Sequence, residues 1–297
     1  MINELNQACF DHQPSSDIEM LCIGHFCHDL NEGAIILGGT ASYCSALAAS
    51  MGIKTGVLTS VGADFQFADF FNKRGIQVHN KLSKATTVFE NIYDDGQRVQ
   101  FMYDRSDELD VVHLPEEWVA PEVVKFCLIA DEINSSFSNS FESSLKGGSI
   151  QGWLRRWDGN GKIYPKMIDW QRLNFFDIVF MSRDDLEGFE DQFASIVDNS
   201  NILVMTNGKF GVDIFHKGQF MHYPSIEIIE TDPTGAGDIF ASSFLLEYAK
   251  SGSLSRAAAF AHSAASFVVE RKGVNIPCIE NINYRFANYL KKYGNLN

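Results

Sequence analysis

A chain of 297 residues with 45% hydrophobic and 21% charged side chains can bury one large core, alone or with a small appendage. Its formal net charge of −14 argues against a nucleic-acid backbone or an anionic membrane surface as the main partner. No stretch has the length and hydrophobicity of a membrane span, and the polar leader 1–17 lacks the apolar core of a secretory signal.

After the leader, an apolar strand is expected over 20–26. Residues 28–37 alternate weakly and end at Gly38-Gly39. The small-residue run 40–51 then reads as a helix stopped by Gly52. A strand over 55–61, a helix over 65–74 and a short strand over 76–80 follow. This alternation predicts an α/β fold with a mainly parallel central sheet. Residues 86–93 and 97–103 are β-rich runs about Asp94-Asp95-Gly96, a hairpin signal. A hairpin inside an alternating α/β pattern suggests a projecting β element. The acidic stretch 104–121 reads as irregular.

Alternation resumes with a strand over 126–130, a helix over 141–146, a strand over 177–181 and a strongly apolar strand over 202–206. Asn207-Gly208 turns the chain into 212–215, and Lys217-Gly218 marks a second hairpin. The last third is helical, over 239–250 and 254–271, closing at Gly273 with Pro277 beyond. There are no repeats and no low-complexity linker, so 1–297 is expected to be one domain with an inserted β flap. The six cysteines (Cys9, Cys22, Cys27, Cys44, Cys127, Cys278) contain no C-x-x-C pair, and the eight histidines show no ligand spacing. Buried thiols in a reducing cytoplasm are the expectation.

The most informative segment is Thr231-Asp232-Pro233-Thr234-Gly235-Ala236-Gly237-Asp238, directly before an apolar helix. A Gly-Ala-Gly turn opening a helix leaves backbone N–H groups unpaired, where the helix dipole also favours negative charge. Asp238 beside them is placed to accept a proton from a hydroxyl. Together they describe phosphoryl transfer to an alcohol, although a tight turn with a plain helix N-cap would use the same residues.

A kinase also needs a nucleotide cradle and a substrate clamp. For the cradle, Thr206-Asn207-Gly208-Lys209-Phe210-Gly211 follows an apolar strand, so its glycines can let amides approach phosphate. An ordinary hairpin turn would read the same way. For the clamp, Asp29 precedes Gly38-Gly39, and a carboxylate there could accept hydrogen bonds from a polyol or simply face water. No G-x-x-x-x-G-K-[ST] occurs and no G-x-G-x-x-G follows the first strand, which argues against a P-loop enzyme and a dinucleotide site.

In this order the pieces resemble the ribokinase-like (PfkB) carbohydrate kinases over about residues 21–277. The most specific part is 232–238; Gly38-Gly39 with the following small-residue helix and Val61-Gly62-Ala63-Asp64 match the N-terminal signature. Thr206–Gly211 resembles the family's nucleotide loop. Ala261-His262-Ser263-Ala264-Ala265 and Arg271-Lys272-Gly273 resemble the segments flanking adenine. Within the family the likeness is strongest to myo-inositol kinases, through Gly24-His25-Phe26-Cys27-His28-Asp29, Gly38-Gly39-Thr40-Ala41-Ser42-Tyr43, Ala85-Thr86-Thr87-Val88-Phe89-Glu90 and Thr206-Asn207-Gly208-Lys209. Tyr43 stands where ribokinases carry a sugar-holding asparagine, and a cyclohexane polyol could use an aromatic wall there.

The resemblance implies a ribokinase-like fold whose small β-sheet lid comes from about 28–37 and 86–102. It implies ATP-dependent phosphorylation of a hydroxyl on a small polyol or sugar, with myo-inositol as the substrate it points to. A fructokinase-like or adenosine kinase-like acceptor and a non-catalytic ligand-binding homologue are the alternatives. Asp238 would be the base, with Gly235, Ala236 and Gly237 as the anion hole. Asp29, Gly38, Gly39 and Tyr43 would bind substrate. Glu132 and Gln151 are further candidates that solvated loop positions would also explain. Thr206, Gly208, Lys209, Gly211, Thr234 and His262 would bind nucleotide.

Asp232 and Thr234 would lie near a monovalent-cation site, for K+, with carbonyls from 268–273. The family's N-x-x-E motif, which organises Mg2+ through water, falls on Ser182-Arg183-Asp184-Asp185. Ser182 and Asp185 can still hold metal-bound waters, with geometry shifted by about one methylene. A β lid can also pair edge to edge, which allows a homodimer.

Overall fold

The computed structural model describes residues 10, 17–31, 33–94, 97–270, 274 and 276–294. The leader (apart from Phe10 and Asp17), the turn residues Asp95 and Gly96, and Arg271-Lys272-Gly273 therefore lie outside the described residues.

The first half runs β1 (Met20–Ile23), β2 (Cys27–Asn31), β3 (Ala34–Gly38), α1 (Thr40–Ser50), β4 (Thr55–Val61), α2 (Ala68–Asn72), β5 (Gln77–Leu82), β6 (Thr87–Asp94) and β7 (Gln97–Asp104). Then come β8 (Val123–Cys127), β9 (Leu145–Ser149), β10 (Arg155–Trp157), β11 (Ile163–Pro165), β12 (Ile178–Ser182), α3 (Phe193–Asp198) and β13 (Ile202–Thr206). The chain closes with β14 (Val212–His216), β15 (Gln219–Tyr223), α4 (Ala236–Ser251), α5 (Leu254–Val268) and α6 (Ile279–Tyr293).

A nine-stranded sheet has the order β15-β14-β13-β12-β9-β8-β1-β4-β5. It is parallel from β13 to β5 and antiparallel only at the β13-β14-β15 edge. Every residue of β1, β4 and β8 is buried, as expected of parallel strands covered on both faces. One face packs on α1, α4 and α5 through Ala41, Phe240, Phe244 and Ala258. The other is closed by an aromatic layer, with Trp118, Phe126, Phe137, Trp153 and Phe176 under short helical turns. After β1 the chain moves to β4 on one side and later to β8 on the other, which opens a crevice at the carboxyl ends of β1 and β8.

A four-stranded sheet, β3-β2-β6-β7, stands over that crevice and unites the two expected lid segments. A bridge between Phe101 and Lys162 ties β7 to the β10–β11 hairpin. No helix among the described residues is long and apolar enough to cross a membrane.

Several expectations need correction. The helix expected over 141–146 is the lead-in to strand β9, and Phe141 has φ 63°. Gly147 and Gly148 explain this. A Cβ on Gly147 would lie 2.8 Å from Leu245, and one on Gly148 would lie 2.5 Å from Phe176, so this strand is squeezed between two layers. The strand expected over 126–130 begins at Val123 instead, because Lys125 interrupts its apolar run. The helix expected over 65–74 shortens to α2, and the second C-terminal helix ends at Val268. The hairpin β10–β11 and helix α6, which buries Ile282, Phe286 and Tyr289, were not anticipated. Cys22, Cys27, Cys44 and Cys127 are buried thiols, but Cys278 is exposed.

Helix α4 is anchored by Phe244, which is fully buried and meets the Phe180 ring edge-on at 5.7 Å. Phe244→Ala should lower unfolding free energy by about 3–5 kcal/mol in urea titration. A loss below about 1 kcal/mol would show that α4 is held elsewhere.

Candidate active site

The loop 231–235 and the first turn of α4 reach the crevice. Thr234 N–H donates to Asp232 Oδ1 at 3.0 Å, and Ala236 N–H donates to the Pro233 carbonyl at 3.1 Å. Gly235 then takes a left-handed conformation (φ 80°) as the N-cap. A Cβ there would lie 2.2 Å from Tyr43 Cε1, so glycine is required twice over, by backbone and by space. Among the described residues, the Gly235, Gly237 and Asp238 amides find no acceptor. The expected anion hole is thus open at Gly235 and Gly237, while the Ala236 amide is already occupied.

Asp238 lies in that first turn. Burial raises its carboxyl above the ordinary range; the Thr40 hydroxyl and the cations Lys125 and Arg155 oppose this, and Asp185 reinforces it. A carboxylate made more basic by its surroundings is suited to take a proton from an alcohol.

Asp29 comes from β2 of the lid. Gly38, opposite Cys27 in the β2–β3 register, makes room for it: a Cβ at Gly38 would lie 2.1 Å from Asp29 Oδ2. The Cys27 thiol, pushed up by burial and then by Asp29, donates to Asp29 Oδ1 at 3.6 Å. Gly39 (φ 93°) lets α1 start within 2.7 Å of the His25 carbonyl, measured from where its Cβ would be. Tyr43, expected to wall a polyol, also backs Gly235 with its ring, and its phenol is pushed up by burial and then by Asp238, Asp29 and Asp232.

Arg155 was not anticipated. Its Nη1 donates to the Ile129 carbonyl at 3.0 Å, its guanidinium lies 5.5 Å from the Phe89 ring centroid in the lid, and its charge acts on Asp238 and Cys27. Glu132 is not a solvated loop residue. It is fully buried and accepts the amides of Ala130 (2.7 Å), Ile129 (3.0 Å) and His25 (3.3 Å), so it shapes the backbone at the crevice. Gln151 reaches the site through Asp185, donating to Oδ1 at 3.1 Å.

Beside α4 lies a cleft of about 580 Å³. It brings together the expected Thr206, Gly208, Lys209, Gly211 and His262 with Ser182, Ala236 and Gly237. Its apolar wall adds Ile226, Ile228, Phe240 and Val269, which sequence reasoning missed because they are scattered along the chain, to Ala265 of the expected adenine-flanking segment. His262 Nε2 meets the Tyr223 carbonyl at 3.2 Å, which requires a proton on that nitrogen, and the ring stacks on Tyr289. Burial lowers its pKa to about 4, so it presents a neutral ring near pH 7. Thr234 is exposed and does not line this cleft.

Ser182 and Asp185 bond reciprocally: Ser182 N–H donates to Asp185 Oδ2 at 2.7 Å, and Asp185 N–H to Ser182 Oγ at 3.2 Å. These are hard oxygen donors, and Ser182 lines the cleft. Among the described residues no group of three or more His, Cys, Asp or Glu could cage a metal ion. That donor set fits Mg2+ held through its waters and the donor's phosphates. The expected monovalent-cation site draws partly on 271–273, which lie outside the described residues; within them, the Val269 carbonyl accepts the Thr231 and Asp232 amides at 2.7 and 3.2 Å.

The pfkB family of carbohydrate kinases matches residues 32–282. The chain belongs to that family, whose members transfer a phosphoryl group to a hydroxyl. An inositol 3-kinase of Arabidopsis thaliana is 24% identical over 278 residues, 86% of this chain and 74% of that protein. A nucleoside kinase of Methanothermobacter thermautotrophicus is 22% identical, covering 89% of this chain and 94% of that protein. Among solved structures, a pyrophosphate-dependent kinase in the ribokinase family, complexed with a pyrophosphate analog and myo-inositol, superposes with a TM-score of 0.74 at 20% identity, covering 90% of this chain and 99% of that chain. The fold is ribokinase-like.

The raised Asp238 pKa has a sign that can be tested. Stability contributed by such a group is fully present below its unfolded value, about 3.9, and is lost as pH rises through the folded value. At pH 7 the folded protein therefore carries a cost that asparagine removes. Asp238→Asn should lose about 10²–10⁴-fold in turnover, melt no lower than the natural protein at pH 7, and lose any stability advantage toward pH 4. Retained turnover, or a lower melting temperature at pH 7 than the natural protein, would contradict this assignment.

Proposed function

We propose that this kinase transfers the γ-phosphoryl group of ATP to a hydroxyl of a small cyclic polyol, with myo-inositol as the acceptor. One observation carries the reading: Asp238 and the open amides of Gly235 and Gly237 share a helix end, and the phenol of Tyr43 sits among the carboxylates of Asp238 and Asp29. Asp29 accepts hydrogen bonds from neighbouring hydroxyls, and Arg155 donates from the lid side. The attacking hydroxyl gives its proton to Asp238 as its oxygen bonds to the γ-phosphorus and the bond to the β-phosphate oxygen breaks. Charge on the transferring group meets the Gly235 and Gly237 amides at the positive end of α4. When bound, Mg2+ supplies charge neutralisation on the donor phosphates, with Ser182 and Asp185 placed to hold its waters.

The donor cleft supports ATP over pyrophosphate. Its apolar wall and neutral His262 suit a purine ring, which pyrophosphate lacks. The lid adds a second partner to the reading. Ile35 and Ile92 are 40% and 42% exposed, and β3 is an edge strand, so we assign the lid as the surface on which two copies pair. The acidic balance and buried thiols support a cytoplasmic enzyme that uses neither nucleic acid nor membrane.

A panel of inositols, hexoses, pentoses and nucleosides, each offered with ATP or with pyrophosphate, tests both substrates. The expected result is ATP-dependent phosphorylation of myo-inositol. Turnover of nucleosides without inositol would overturn the acceptor, and activity with pyrophosphate alone would overturn the donor. Asp238→Asn should bind the polyol without turning it over, which a non-catalytic binding protein would not distinguish from the natural chain.

A further inference from the structure

Arg285, Tyr289 and Tyr293 recur at intervals of four along α6, which puts them on one face of the helix. Tyr289 is buried. Its ring stacks on His262 of α5 with centroids 6.0 Å apart, and its hydroxyl donates to the Pro224 carbonyl at 2.8 Å. The Tyr293 hydroxyl donates to the Ser225 carbonyl at 3.3 Å, and Lys292 lies 3.6 Å from the Glu227 carboxylate. At the other end of the face, Arg285 Nη1 donates to Ser266 Oγ at 2.7 Å, and Nη2 to the two Glu270 carboxylate oxygens at 3.1 and 3.4 Å. The same guanidinium lies 3.5 Å from the centre of the Phe267 ring.

These contacts fall on two separate walls of the cleft beside α4. One wall is the stretch 224–230 after β15, which contributes Ile226 and Ile228; the other is the C-terminal half of α5, which contributes His262, Ser266 and Val269. Residues 224–230 form neither helix nor strand, so no backbone ladder sets their place, and hydrogen bonds to their carbonyls take on that role. Tyr289 touches both walls at once, through its ring and through its hydroxyl. Packing alone would not need these polar groups, because Ile282 and Phe286 already bury the apolar side of α6 against Phe260. Among the described residues none of α6 lines the cleft, so the helix acts from behind it.

We propose that Arg285 and Tyr289 are positioning residues for the donor: they fix the distance between the stretch 224–230 and α5, and so the width of the slot that takes the nucleoside end of ATP. This rests on the cleft being the ATP site, as proposed above.

Calorimetric titration with ADP, together with steady-state kinetics, tests it. Tyr289→Phe keeps the stack on His262 and removes only the bond to Pro224. Its affinity for ADP should fall, and its KM for ATP rise, by about 3–10-fold, with kcat and the KM for the acceptor unchanged. Arg285→Met should show the same donor-side loss. Arg285→Lys, which keeps a charge for Glu270 without the planar fork, should recover part of it. Unchanged ADP affinity in either folded variant, or a loss spread equally over donor and acceptor, overturns the proposal and leaves the ATP reading standing. Failure of the natural protein to bind ADP would overturn the ATP reading itself, and the proposal with it. Tyr289→Phe carries the test if Arg285→Met does not fold.

Discussion

The close approach of Tyr43 to Gly235 sets where α4 can begin, and most of the site depends on that starting point. With φ 80° and no side chain, Gly235 lets the loop turn onto the helix axis while the ring of Tyr43 fills the space beneath. The turn leaves amides facing the crevice and puts Asp238 in the first helical turn, next to them. A helix started one residue earlier or later would rotate that carboxylate by about 100°. Packing then fixes the rest of the helix, through Phe240, Phe244 and Leu245 against β9 and β12.

The electrostatics follow from the same placement. A carboxylate near the positive end of a helix, partly withdrawn from water, is pulled toward neutrality by burial and toward charge by Lys125, Arg155 and Thr40. Burial is the larger influence, so the carboxyl stands above its ordinary range. On the acceptor side, Asp29 is held by a glycine gap and a thiol, and Glu132 is spent on backbone amides that shape the crevice. In the proposed reading the two substrates meet different surfaces, the lid side with Asp29 and the apolar cleft beside α4.

What was legible in the sequence is what local chemistry decides. Gly52 (φ 79°) stops α1 where the pattern put the stop, and Lys217 and Gly218, both with positive φ, make the turn between β14 and β15. The helix opening at Gly235 needed only its own small residues. What was hidden depends on partners distant in the chain. Strand β9 looks helical until Leu245 and Phe176 are seen to leave its glycines no room. Lys125 disguised the start of a buried strand because a lysine in a buried parallel strand breaks the usual apolar pattern. Arg155 became a site residue only through the β10–β11 hairpin, and the apolar wall of the donor cleft is assembled from three separate segments.

The most direct test of the account is a crystal structure with ADP, Mg2+, aluminium fluoride and the polyol acceptor. The account predicts fluoride atoms about 2.7–3.1 Å from the Gly235 and Gly237 amide nitrogens, with an Asp238 carboxylate oxygen within hydrogen-bonding reach of the attacking hydroxyl. A fluoride group seated away from the start of α4, or an Asp238 turned from the acceptor, would contradict it.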